Sequence, residues 1–118
     1  MTQETLAFLT EKTRALMAAP TCSSETKAAA QKWLDAVGTD TQQAQTKLYM
    51  DELEEDIMPI DNLIGFARSE KGAEYFGADT AAQVAAHAEE IKAAGARYCD
   101  CPACAVVEEI LAKKQEIL

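Results

Sequence analysis

The residues of this sequence with the clearest capacity for chemistry are three cysteines near its C-terminal end, Cys99, Cys101 and Cys104. They lie within six residues of one another, so they cannot join distant parts of a fold through disulfide bonds. In a reducing compartment, cysteines clustered in this way are more often metal ligands or redox thiols. The spacing C-x-C-x-x-C therefore predicts a place where soft sulfur ligands converge.

The residues around these cysteines predict that a helix positions two of them. Pro102 suits the first position of a helix, where its missing N–H group would have no partner. This places Cys101 at the N-cap and Cys104 in the first turn, and residues three apart share a helix face, so we expect their sulfurs to converge. Cys99 approaches from the preceding loop. The positive end of the helix dipole favours thiolates, the form that binds metals and attacks disulfides.

A metal site built on these cysteines needs a fourth ligand, because structural zinc is almost always tetrahedral. Cys22, in the loop before a predicted second helix, is the preferred candidate. We interpret Cys99, Cys101, Cys104 and Cys22 as ligands of a transition metal. Zinc is the first candidate, and an iron–sulfur cluster or copper is the alternative. A site with an open fourth position, or Cu(I) on three thiolates, would not need Cys22. His87 is a less favourable ligand, because it lies about two turns before the end of the helix that precedes the cysteine loop.

Two other hypotheses account for the same cysteines. The stretch from Cys101 to Cys104 is a C-x-x-C at a helix start, which is the local arrangement of thiol/disulfide redox proteins. Alternatively the thiols are inert, and the chain is a helical protein–protein interaction module that binds a protein partner or forms a homodimer. The sequence contains no glycine-rich phosphate loop and no serine nucleophile motif, so we predict no catalytic residue and favour a protein that is not an enzyme.

Length and composition predict the fold class. The chain has 118 residues, of which 48% are hydrophobic and only 6% aromatic. Alanine, the best helix former, is abundant, whereas the residues that favour strands are scarce. We therefore expect an all-α fold, a single domain over residues 1–118 built as a bundle of five to six antiparallel helices.

Proline, serine and glycine mark the first helices. The apolar spacing predicts a helix from about Gln3 to Ala18 that ends before Pro20. Ser23 or Ser24 can cap a second helix, and Gly38 lies just past its end.

Further along the chain, Thr39 and Gln42 have the spacing of a capping box that opens a third helix. The next apolar stripe, from Met50 to Ile64, continues through Pro59, which removes a backbone donor, so a kink or a break is expected there. Asp79 is the predicted cap of a helix that ends at Gly95.

On the helix from Asp79 to Gly95, His87 lies among alanines, Val84 and Ile91 on the predicted inward stripe. We therefore expect a buried histidine that forms hydrogen bonds in the core.

The charge balance bears on partners and location. The net charge is -9, and Lys and Arg form no cluster that could neutralise phosphates, so we expect no nucleic-acid partner. No apolar run reaches the length of a membrane helix, and the first residues are acidic and polar rather than those of a secretory signal. These features predict a cytoplasmic protein that does not bind a membrane.

Three segments resemble those of a group of short, uncharacterised bacterial proteins that are often found in anaerobes. They are Trp33–Thr39, Asp56–Asp61 and the YCDCPAC motif of Tyr98–Cys104, and the similarity covers most of the chain. Some of those proteins carry an automatic label as heat-shock chaperones, but this chain lacks the glycine-rich nucleotide motifs of an ATP-dependent chaperone. The resemblance implies a small cytosolic all-helical protein with a cysteine motif near its last helix, and it brings no established activity or ligand.

Overall fold

The computed structural model describes all 118 residues, Met1 to Leu118, and its regular structure is entirely helical. The eight helices are α1 (Gln3–Ala18), α2 (Ser24–Ala36), α3 (Gln42–Asp56), α4 (Ile60–Ala67), α5 (Glu70–Phe76), α6 (Ala78–Ala93), α7 (Pro102–Leu111) and α8 (Lys114–Ile117). The predicted all-α class is confirmed. The predicted count of five to six helices is wrong, because short segments form α5 and α8 as separate helices. The antiparallel bundle arrangement stays a prediction.

The helices group into two compact units. Unit 1 comprises Met1–Ile57 and Asp100–Leu118, and unit 2 comprises Met58–Cys99. In unit 1, α1 packs against α2, α7 and α8, while α3 packs against α2 and α7. In unit 2, α4, α5 and α6 pack against one another. The expectation of a single domain stays a prediction.

The core of unit 1 contains a stacked aromatic pair with polar groups that are all hydrogen-bonded. The rings of Trp33 and Tyr49 are stacked with their centroids 5.6 Å apart. The indole N–H of Trp33 donates to the Thr46 hydroxyl at 2.8 Å, and the Tyr49 and Thr13 hydroxyls are 3.0 Å apart. Burial raises the pKa of Tyr49 to about 12. These partners let four polar side chains be buried without an unsatisfied donor.

Unit 2 is packed with small residues. The buried face of α6 consists of Ala81, Ala85 and Ala88. On α5, the Cα of Gly72 lies so close to the preceding helix that an added Cβ would be 1.9 Å from the carbonyl oxygen of Phe66. The helices of this unit therefore approach closely because the residues between them have little or no side chain.

Several predicted helix ends are confirmed. Helix α1 has the predicted bounds, and the Ser23 hydroxyl caps α2 by accepting a hydrogen bond from the backbone N–H of Thr26 at 3.2 Å. Gly38 and Gly95 follow α2 and α6 with φ of 82° and 103°. This left-handed backbone is where glycine is favoured at the end of a helix.

The predicted capping box at Thr39 and Gln42 is wrong. Helix α3 begins at Gln42, and its N-cap is Thr41, which has helical φ and ψ and makes no side-chain cap. The Gln42 side-chain carbonyl instead accepts a hydrogen bond from the backbone N–H of Gly38 at 2.9 Å. This glutamine therefore stabilises the end of α2 rather than the N-cap of its own helix.

Two predictions about α6 are also wrong. Its N-cap is Gly77, with φ of 85°, so Asp79 lies inside the first turn instead of capping the helix. His87 is exposed rather than buried, because the alanines form the inward face of α6 and His87 lies on the opposite face.

The predicted break at Pro59 is confirmed. Helix α3 ends at Asp56, and α4 begins at Ile60 with Pro59 as its N-cap in an extended conformation. Proline is tolerated there because no intrahelical hydrogen bond is required from its nitrogen. None of the eight helices combines the length and the apolar composition that crossing a bilayer requires.

Candidate metal centre

Backbone hydrogen bonds fix the segment that carries Cys99. The N–H of Cys99 donates to the carbonyl oxygen of Met58 at 2.9 Å, and the N–H of Ile60 donates to the carbonyl oxygen of Arg97 at 2.8 Å. Together they form an isolated antiparallel bridge in which the residue paired with Pro59 is Tyr98. The backbone just before the other two cysteines is therefore ordered even though it belongs to no helix.

The start of α7 positions Cys101 and Cys104 as predicted. Cys101 is the N-cap, with extended backbone at φ -61° and ψ 158°, and Pro102 occupies the first turn. The Sγ atom of Cys101 accepts a hydrogen bond from the backbone N–H of Cys104 at 3.4 Å. The cysteine sulfur thus takes the place that a serine or aspartate oxygen usually holds at a helix N-cap.

The three sulfurs converge. The Sγ atoms of Cys99, Cys101 and Cys104 all lie within 4.8 Å of one another, and the three residues are half-buried. None of them forms a disulfide. The predicted meeting of three thiols at the start of the last long helix is confirmed.

The spacing of these sulfurs is close to what a metal requires. With a Zn–S distance of ~2.3 Å, tetrahedral geometry puts thiolate sulfurs ~3.8 Å apart. The observed upper limit of 4.8 Å exceeds this value by only about 1 Å, which small side-chain rotations supply. The arrangement can therefore hold a metal ion without a rearrangement of the helix.

Cys22 is outside the group of three sulfurs. It is buried in the loop before α2, where its thiol donates to the carbonyl oxygen of Ser23 at 3.6 Å. It lines a small cavity of unit 1, about 80 Å³ in volume, and Cys104 lines the same cavity. The structure thus brings Cys22 to the cavity wall that Cys104 shares.

A hydrogen bond fastens the Cys22 loop to the first turn of α7. The hydroxyl oxygen of Thr21 accepts the backbone N–H of Ala103 at 3.0 Å. Sequence reasoning missed Thr21, because its partner lies 82 positions away and no local pattern signals the contact.

The surroundings of Cys22 favour its neutral form. Burial is the main cause that raises the pKa of this thiol, the nearby Lys27 opposes the shift, and the carboxylate of Asp56 adds to it. Asp56 is itself held in place by the hydroxyl of Thr26, which donates to it at 2.7 Å. Cys22 is therefore a thiol at neutral pH and must release a proton if it becomes a metal ligand.

No protein-family model, curated protein or solved structure matches this chain. The resemblance to short bacterial helical proteins stays a prediction.

Proposed function

We propose that this protein binds a thiophilic metal ion, with zinc as the first candidate, through the thiolates of Cys99, Cys101 and Cys104. The observation that supports this function is the meeting of three Sγ atoms within 4.8 Å. A donor set made only of sulfur favours soft or borderline metals over magnesium or calcium. The metal fixes the loop before α7 to the helix, which is a structural role rather than a catalytic one.

Cys22 is the proposed fourth ligand. It lines the same small cavity as Cys104, and the hydrogen bond between Thr21 and Ala103 keeps the two chain segments together. Zinc in structural sites takes four protein ligands, so a fourth thiolate completes the tetrahedron. Because the Cys22 thiol is protonated at neutral pH, recruiting it releases a proton, and zinc binding weakens as the pH falls.

The start of α7 supports the charge of such a site. Four thiolates and one Zn²⁺ carry a net charge of two minus, and the N-terminal end of a helix favours negative charge. The N–H group of Cys104 already donates to the sulfur of Cys101. Hydrogen bonds of this kind to ligand sulfurs are a common way in which proteins tune metal–thiolate centres.

Four cysteine thiolates also suit metals other than zinc. An iron–sulfur cluster also takes four cysteine thiolates, and Cu(I) prefers soft sulfur ligands. We place the protein in the cytoplasm, where reducing conditions keep thiols available for metals.

Elemental analysis of anaerobically purified protein, together with a count of reactive thiols, tests the proposal. We expect close to one zinc per chain and thiols that react only after a chelator is added. Cys101→Ser should release the metal, whereas Ala105→Ser, a change at an exposed neighbouring position of α7, should retain it. Absence of any metal, with all thiols immediately reactive, would overturn the proposal.

Thiol/disulfide exchange is the second candidate function, and the position of Cys101 at the N-cap favours it. The Cys101 thiolate would attack a disulfide substrate and expel one thiolate, and the Cys104 thiolate would then displace the second one. Two electrons pass to the substrate, and a Cys101–Cys104 disulfide forms. This function predicts a reversible mass loss of two hydrogens in metal-free protein and turnover with a disulfide substrate.

A further inference from the structure

We infer that the group of Cys99, Cys101 and Cys104 also binds a trivalent thiophile that forms three bonds, of which arsenite is the representative. This inference rests on the site of the proposed function and deepens it, because it concerns which ions the three sulfurs accept. It does not require that zinc is the resident metal.

The composition of the group suits an ion that forms three bonds. The donor atoms that lie within 4.8 Å of one another are three cysteine sulfurs. Zinc needs a fourth ligand to complete its tetrahedron. Trivalent arsenic forms three bonds to sulfur in a pyramid, and its lone pair occupies the remaining direction. A group of three sulfurs therefore satisfies arsenic completely, whereas it supplies only part of a zinc site.

The arrangement of the three residues also suits a three-coordinate ion. Cys101 is at the N-cap of α7, Cys104 is in the first turn, and Cys99 comes from the hydrogen-bonded segment before the helix. Their sulfurs thus come from three different places along the backbone and can form the base of a pyramid. Since all three residues are half-buried rather than buried, a small neutral molecule such as arsenous acid can reach them from solvent.

Cys22 provides the contrast that separates the two kinds of ion. It is buried and lies outside the group of three sulfurs. A three-coordinate ion has no need of it. We therefore expect zinc to bind four cysteines and arsenite three of them, so that the coordination number of the ion decides whether Cys22 takes part.

The binding reaction balances without any change of oxidation state. Arsenous acid, As(OH)₃, reacts with three cysteine thiols. Three As–O bonds and three S–H bonds break, three As–S bonds form, and three water molecules leave. Arsenic remains trivalent, so no oxidant or reductant is required.

Native mass spectrometry of the full chain tests this stoichiometry. The protein is freed of metal with a chelator, reduced with a phosphine rather than a thiol, and mixed with sodium arsenite. We expect a mass gain of one arsenic atom less three hydrogens. Cys22→Ser should leave the arsenite affinity unchanged while it weakens zinc binding measured with a chromophoric chelator. Cys99→Ser should weaken arsenite binding by more than the roughly 10- to 100-fold that outer-sphere partners contribute to metal affinity.

The outcomes separate this inference from the proposed function. An adduct that has lost only two hydrogens, or an arsenite affinity that falls equally in Cys22→Ser and Cys99→Ser, would overturn the three-sulfur assignment even if zinc binds. Loss of three hydrogens in a protein that binds no zinc would uphold the inference and refute the zinc proposal. Circular dichroism of each variant checks that the helices persist.

Discussion

The hydroxyl oxygen of Thr21 accepts a hydrogen bond from the backbone N–H of Ala103, 3.0 Å away and 82 positions later in the chain. Each of these residues immediately precedes a cysteine, so this bond links the loop of Cys22 to the first turn of α7, where Cys104 lies. It also satisfies one of the N–H groups that a helix leaves without a partner in its first turn. A threonine that sequence reasoning missed therefore connects the predicted fourth ligand to the cluster.

Replacement of this hydroxyl tests that connection. Thr21→Val removes the acceptor but keeps the branched shape, and we expect the free energy of unfolding of the metal-free protein to fall by about 1 kcal/mol. Zinc affinity should fall as well, since Cys22 is less well held. Thr21→Ser, which retains the hydroxyl, is the matched control. Urea unfolding followed by circular dichroism, and competition with a zinc chelator, measure the two effects. A valine variant with unchanged stability and zinc affinity would show that the bond positions nothing.

Helix ends marked by a strong local preference were predictable from sequence. Ser23 caps a helix start, and Gly38 and Gly95 follow helix ends in the left-handed conformation, as predicted. Both kinds of helix end depend on only a few neighbouring atoms. The capping box at Thr39 and Gln42 failed because Gln42 bonds to the end of the previous helix. A side chain that can serve either of two adjacent helix ends cannot be assigned from spacing alone.

Burial on α6 was not predictable for a different reason. The predicted stripe followed Val84 and Ile91, which are only half-buried, whereas the inward face of this helix is made of alanines, so His87 was assigned to the wrong face. The convergence of Cys99, Cys101 and Cys104 was predictable, because it depends on one helix start and a short loop. The location of Cys22 depends on contacts between distant segments, which sequence spacing does not contain.

Close packing in unit 2 depends on a glycine, and two alanine substitutions test it. Gly72→Ala would place a methyl group 1.9 Å from the backbone oxygen of Phe66, so α4 and α5 would have to separate. We expect the free energy of unfolding to fall by roughly 1–3 kcal/mol or more, which is the usual cost of overpacking. Gly65→Ala meets no atom within 4 Å and should instead stabilise α4 by about 0.5–1 kcal/mol. Thermal unfolding of both variants gives the comparison, and equal melting temperatures would contradict this packing.

The buried Tyr49 predicts a loss of stability at alkaline pH. Burial raises its pKa from 10 to about 12. Below pH 10 the phenol is protonated in both the folded and the unfolded chain, and stability is unaffected. Between about pH 10 and 12 only the unfolded chain releases the proton, so the free energy of unfolding falls by about 2–3 kcal/mol.

Urea unfolding across this pH range measures the effect, with Tyr49→Phe as the control. The phenylalanine variant lacks the ionisable group, so its free energy of unfolding should not show the fall that Tyr49 causes at alkaline pH. Identical alkaline profiles for the two proteins would show that Tyr49 does not titrate as its burial requires.

X-ray absorption at the zinc edge tests the central claim most directly, because it counts the atoms bound to the metal. For protein purified anaerobically with its own metal, we predict four sulfur atoms at about 2.3 Å from zinc, and three in Cys22→Ser with a lighter atom in the fourth position. A first shell of oxygen and nitrogen atoms, or protein that retains no metal in stoichiometric amount, would contradict a metal centre built on these cysteines.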